Sequence, residues 1–198
     1  MPKRPDRATR IVDAALRLAA REGWRRASLA AIAAEARLPV LEVHAVFRSR
    51  GAILDAFHRR IDEAVLVGAP EADSERPHDR LFDTLMRRFE ALQPHREAVR
   101  AMMRDARSDP VASLADLPAL LGSMEWMLEV SGIPATGWRG RLRAKVLLGI
   151  YLSTLRAWLA DESPDMMKTM AALDHRLRNA GRWLGTADAG GEAPAPAA

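Results

Sequence analysis

Apolar positions recur at helical spacing along almost the whole chain, and short breaks of Gly, Pro and polar residues cut the pattern into segments. Ile11, Ala14, Ala15 and Leu18 predict a first helix over about 8–22, ended by Gly23. Leu29, Ile32, Ala33 and Ala36 predict a second over about 28–36, with Ser28 placed to cap it. After the break Arg37-Leu38-Pro39, a third helix over about 39–45 carries Val40, Val43, Val46 and Phe47 as its apolar positions. A fourth begins near Arg50 and continues to about Val67, with Ile53, Leu54, Phe57, Ile61 and Val65 on one face. Two short helices joined by a tight turn and braced by a preceding helix make a helix-turn-helix, a scaffold suited to placing one helix in the DNA major groove.

The breaker-rich stretch from Gly68 to Pro77 is the natural boundary between this head and the rest of the chain. Helices are predicted over 78–92 and 95–107, then a longer segment from Pro110 to about Ser131 with a break at Pro118. A loop at 132–137 precedes the two longest helices, 138–160 and 164–184, the latter with Pro164 in its first turn. Met1 to Thr9 reads as a basic arm with Lys3, Arg4 and Arg7, and the Ala/Gly/Pro-rich end reads as a disordered tail. The expected organisation is a head at 1–49, a helical body at 50–185 and a tail at 186–198.

Composition narrows the class. With 48% apolar and 28% charged residues the 198-residue chain is ordinary for a globular protein, and it has no run of 18 apolar residues, so no membrane span is expected. It has no cysteine, which excludes disulfides and fits a cytoplasmic location. The positive excess sits at the front: residues 1–68 hold 13 Lys/Arg and 8 Asp/Glu, while 69–185 hold 17 and 16. Such an excess on a helix-turn-helix is what phosphate contacts need. The five histidines (44, 58, 78, 95, 175) show no metal-ligand spacing, and no nucleophile elbow, phosphate loop or dinucleotide fingerprint occurs, so neither an enzyme nor a cofactor is expected.

The order Ile11, Ala14-Ala15, Leu18, Gly23, Ser28-Leu29, Ile32-Ala33, Ala36, then Phe47-Arg48-Ser49-Arg50 and Ile53, resembles the TetR family of bacterial transcriptional regulators. That resemblance covers about the first third of the chain. It implies an all-α fold of about nine helices, with a three-helix head on a helical bundle that binds ligand and dimerises. By position it implies DNA contacts at Ser28, Pro39, Val40, Leu41, His44 and Arg50, with Arg25, Arg26, Arg37 and Arg48 on phosphates and Glu42 able to accept from cytosine. The match departs from the family at four of these places. Arg37 stands where a glycine usually takes a positive φ, Pro39 where a Ser or Thr caps, Leu41 where a glycine lets the backbone approach, and His44 where a tyrosine is usual.

For the body, the resemblance implies a ligand pocket. Met86, Phe89, Met102, Met103, Leu120, Met124, Met127 and Tyr151 are its candidates, apolar and adaptable enough for a small hydrophobic effector. The last two helices are apolar over a wide arc, and the resemblance implies that they pair with their twins. Leu147, Tyr151, Leu155, Trp158, Met170, Leu173 and Leu177 are the candidates for that homodimer interface, while Trp126 and Trp138 read as packing anchors. The stretch Trp158-Leu159-Ala160-Asp161-Glu162-Ser163-Pro164-Asp165, with Thr169, Leu173-Asp174 and Leu177, is also similar to a TetR-like lipid-binding family that assists ubiquinone biosynthesis. Two functions are therefore expected in competition: a dimeric repressor that binds operator DNA and is released by a small hydrophobic effector, or a lipid-binding protein whose head is vestigial.

Overall fold

The computed structural model describes residues 6–67, 76–109 and 117–186. Lys3 and Arg4 of the basic arm, the breaker-rich loop from Gly68 to residue 75, the segment from Pro110 to residue 116 and the tail from residue 187 lie outside the described residues. Among the described residues there are nine α-helices, two 3₁₀ turns and no strand. The chain divides into two compact units, residues 1–69 with 86–123, and residues 70–85 with 124–198.

The first unit is built around α1 (Arg7–Glu22), which packs against α2 (Leu29–Ala36), α4 (Arg50–Val67) and α6 (Arg96–Ser108). Three neighbours explain why α1 buries seven residues, Ile11, Val12, Ala14, Ala15, Leu16, Leu18 and Ala19, more than a one-sided amphipathic helix would. It starts earlier than its apolar pattern does. The Asp6 carboxylate accepts from the Thr9 amide at 2.7 Å and caps the helix, so Arg7 and Thr9 are helical rather than part of an arm. The unit is completed by α3 (Val40–Val46), the second half of α5 (Pro77–Leu92) and the first turns of α7 (Leu117–Val130).

This unit also buries charge. Arg88 on α5 has no exposed surface; it pairs with Asp62 on α4, whose other carboxylate oxygen accepts from the Ser123 hydroxyl at 2.7 Å. One helical turn before Asp62, burial and then the Arg88 charge push the pKa of His58 down to about 3. Nearby, Arg60 donates to Asp13 at 2.6 Å and meets Nε2 of His95 at 3.2 Å. The guanidinium has only donors, so that ring nitrogen accepts. Burial and then Arg60 hold the His95 pKa below its usual value, and the ring lies edge-on to Phe57 with centroids 5.3 Å apart.

In the second unit α8 (Gly137–Ala160) packs along α9 (Met167–Leu184). The turn between them is fastened by one carboxylate. Asp161 accepts from the amide and hydroxyl of Ser163 and from the amide and hydroxyl of Thr169, the last two at 2.8 Å. Those bonds, the Ser163 hydroxyl first, hold its pKa well below the usual carboxylate range. Met166 closes the turn in the left-handed region at φ 54. Helix α9 therefore starts at Met167, and Pro164 lies in the turn rather than in the first helical turn that its residue type favours. At the head of α8, a side-chain carbon on Gly140 would fall onto the Ala135 carbonyl, so only glycine lets that loop lie against the helix.

Candidate functional site

Helix α2 begins where Ser28 caps it, its hydroxyl oxygen accepting from the Ala31 amide at 3.1 Å. It ends at Arg37, which is left-handed at φ 54 and ψ 48. The Arg37 amide donates to Ala34 and the Leu38 amide to Ala33, at 3.1 and 3.0 Å, the pair of bonds that closes a Schellman turn. The seat normally given to glycine is thus kept with an arginine in it, at a strain of about 1 kcal/mol or more. Pro39 offers no side-chain cap to α3, but its fixed φ of −58 starts the helix in register.

Of the residues of α3 only Val43 is buried. Val40, Leu41, His44, Ala45 and Val46 are exposed, Leu41 at 79%. The outward surface is apolar with one imidazole, suited to thymine methyl contacts more than to a dense hydrogen-bond code. Glu42 is half-buried, and Arg7 at 3.4 Å offsets its charge. In the same unit Arg25 and Arg26, ahead of α2, and Arg37 and Arg48, on either side of α3, are exposed. Ser28 accepts as a cap while its hydroxyl hydrogen remains a donor.

Arg50 behaves differently from the other candidate phosphate ligands. Its Nη1 donates to the carbonyls of Trp24 and Arg25 at 3.0 and 3.1 Å, and its guanidinium lies over the Trp24 ring at 5.4 Å. It ties α4 to the 3₁₀ turn Trp24–Arg26, a structural tie that neighbouring residues in sequence do not reveal. On the opposite side of that turn the Asp105 carboxylate of α6 accepts from the Arg25 amide at 2.8 Å, a contact that sequence reasoning misses.

The candidate ligand residues fall in both units. Met86, Phe89, Met102, Met103 and Leu120 lie in the first, and Met124, Met127 and Tyr151 in the second. Met86, Phe89, Met124, Met127 and Tyr151 are buried, and the other three are partly exposed. None of them lines the groove of about 430 Å³ between α1 and the start of α6, whose walls include Asp13, Leu16, Arg17, Pro94, Arg96 and Glu97. The candidate interface residues lie mostly inside the chain. Leu147, Tyr151, Leu155, Trp158, Leu173 and Leu177 are buried within the chain itself, and Met170 is partly so. They form the core of the second unit, because α8 and α9 use those faces on each other and on their own neighbours. The exposed apolar side chains there are Trp138, Leu142, Met167 and Trp183, and Trp138, at 72% exposed, is no packing anchor.

The comparisons with known proteins agree with this geometry. Residues 11–57 match the family described as bacterial regulatory proteins, tetR family, and residues 143–183 match the family described as COQ9. No curated protein sequence matches. A TetR transcriptional regulator from Nitrosomonas europaea is 26% identical, with a TM-score of 0.67 over 90% of this chain and 99% of that one. The multidrug binding protein EbrR, complexed with imidazole, is 25% identical, with a TM-score of 0.54 over 87% and 96%. A TetR transcriptional regulator from Rhodococcus sp. RHA1, at 19% identity, shares the fold with a TM-score of 0.60 over 86% and 94%. The chain thus resembles TetR regulators in the sequence of its head and in its all-helical fold over most of its length.

Proposed function

We propose that this chain is a DNA-binding transcriptional regulator that acts as a homodimer and is released from operator DNA by a small hydrophobic effector. One observation carries the reading: α3 follows a closed left-handed turn and buries only Val43, and Arg37 and Arg48 on either side of it, like Arg25 and Arg26 ahead of the Ser28 cap, are exposed. Val40, Leu41 and His44 are then the base-reading residues, and Arg25, Arg26, Arg37 and Arg48, with the Ser28 hydroxyl, hold phosphates. Pro39 sets the start of the reading helix, Glu42 tempers its charge, and Arg50 supports the turn that carries Arg25. The dimer forms through the outward residues of α8 and α9, with Leu142 and Trp183 among them, and two heads then meet two half-sites. Effector release requires that the ligand bind the two states unequally, and Met86, Phe89, Met102 and Met103 of the first unit are candidates to meet it.

The test is binding to the duplex upstream of its own gene against a scrambled duplex, at two salt concentrations. Selective binding that weakens steeply with salt is expected, and His44→Ala then lowers selectivity. No binding at low salt overturns the reading. A second reading, lipid carriage with a vestigial head, is favoured by the match of residues 143–183 to COQ9. Lipid co-purifying with a chain that ignores DNA is the result that would replace the first reading with it.

A further inference from the structure

The 3₁₀ turn Trp24–Arg26 is held from two sides by opposite charges. Its amide at Arg25 points to the Asp105 carboxylate, with Oδ2 at 2.8 Å. Its carbonyls at Trp24 and Arg25 point to the Arg50 guanidinium. Anion on the donor side and cation on the acceptor side match the direction of the peptide dipoles, so both contacts favour the same orientation of the turn. Gly23 enters the turn at φ +91, and a side-chain carbon there would lie 3.5 Å from Asp105 Oδ2. The carboxylate therefore reaches the turn beside a residue that is glycine and takes a positive φ. The turn in turn carries Arg25 and Arg26, both exposed, and leads through Ala27 directly to the Ser28 cap of α2.

We propose that Asp105 is a positioning residue for DNA-backbone contact: from α6 it sets the aim of Arg25 and Arg26, and so controls the sequence-independent part of DNA affinity. This rests on the DNA-binding reading above. Among the described residues the hydrogen bond that Asp105 makes to the head goes to the Arg25 amide, not to α3, so on this proposal base reading is left alone. Displacing α6 by about one ångström stretches a 2.8 Å hydrogen bond beyond its range. Affinity and selectivity then separate. Losing Asp105 weakens operator and scrambled duplex by the same factor and lowers the salt dependence, while their ratio holds.

The test is Asp105→Ala beside Asp105→Asn, whose side-chain oxygen still accepts from the Arg25 amide. For Asp105→Ala we expect about a tenfold loss on both duplexes and a fall of about one in the slope of log affinity against log salt. Asp105→Asn should restore most of both. Unchanged affinity and slope in Asp105→Ala overturn the proposal, and so does a loss confined to the operator. Should Asp105→Ala not fold, hydrogen exchange at the Arg25 amide of the wild-type chain decides: protection well above that of exposed amides supports the clamp, and free exchange overturns it. Wild-type protein that binds no duplex at all removes the DNA reading itself, an outcome distinct from a wild type that binds and a variant that binds equally.

Discussion

Two turns in this molecule set a side chain where glycine is at home. Arg37 ends α2 and Met166 precedes α9, and both sit at φ 54. They are the only non-glycine residues with positive φ among the described residues. In the head, Arg37 is exposed, and beside the backbone bonds of the turn the Arg10 guanidinium donates to the Ala36 carbonyl at 3.1 Å. In the second unit, Met166 is buried and the turn is closed by the Asp161 carboxylate, with four donors converging on it. The same strain is therefore met by a buried side chain and a converging charged network in one place, and by a pair of backbone bonds with one arginine bond to the helix end in the other.

Removing the network should have the largest effect. Asp161→Ala leaves two buried donors of Thr169 without a partner and is expected to cost about 3 kcal/mol, read as a lower denaturant midpoint. Met166→Gly relieves the backbone but deletes a buried side chain, for a net loss of about 2 kcal/mol by the same measurement. Equal effects of Met166→Gly and Arg37→Gly would break the comparison.

Acid should separate the regions next. The pKa of His58 in the first unit is pushed down to about 3, so the unfolded chain takes the proton first and stability falls as pH drops below about 6.5. The pKa of Asp161 in the second unit is depressed, so its contribution is complete well above pH 3.9 and fades only below it. Stability measured against pH should show a shoulder above pH 4 that His58→Gln reduces, with His95 carrying the remainder, and a steeper loss below it that His58→Gln leaves in place. A profile that His58→Gln leaves unchanged would remove the upper window.

The smallest effect is Arg37→Gly. It should raise stability by about 1 kcal/mol, or about 2–4 °C in Tm, while lowering the salt slope of DNA binding by about one. A variant that gains stability with its slope unchanged would leave the turn comparison intact and take Arg37 off the phosphates.

Much of the head is legible in the sequence because its signals are local. Gly23, Ser28 and the break at Arg37 each mark a boundary through bonds within a few residues, and the structure puts them where the pattern does. The structure's own additions are long-range. Arg50 looks like a free cation until the carbonyls 25 and 26 residues away come under it, and Asp105 acts on a turn 80 residues distant. Apolar spacing tells which faces of α8 and α9 are buried but not against what, so it offers Leu147 and Leu173 to a partner when their own chain covers them. Pro164 misleads for a related reason: its preference for a first helical turn yields to Asp161, which moves the start of α9 to Met167.

Gly140 has a consequence for how this sequence can drift. A substituent there would collide with backbone, which cannot rotate aside as a side chain can. Arg139 and Arg141 on either side of it are exposed, and Arg139 makes only a surface contact over the Trp138 ring at 5.3 Å. In a saturation library of this segment, position 140 should return a single surviving letter between two permissive neighbours.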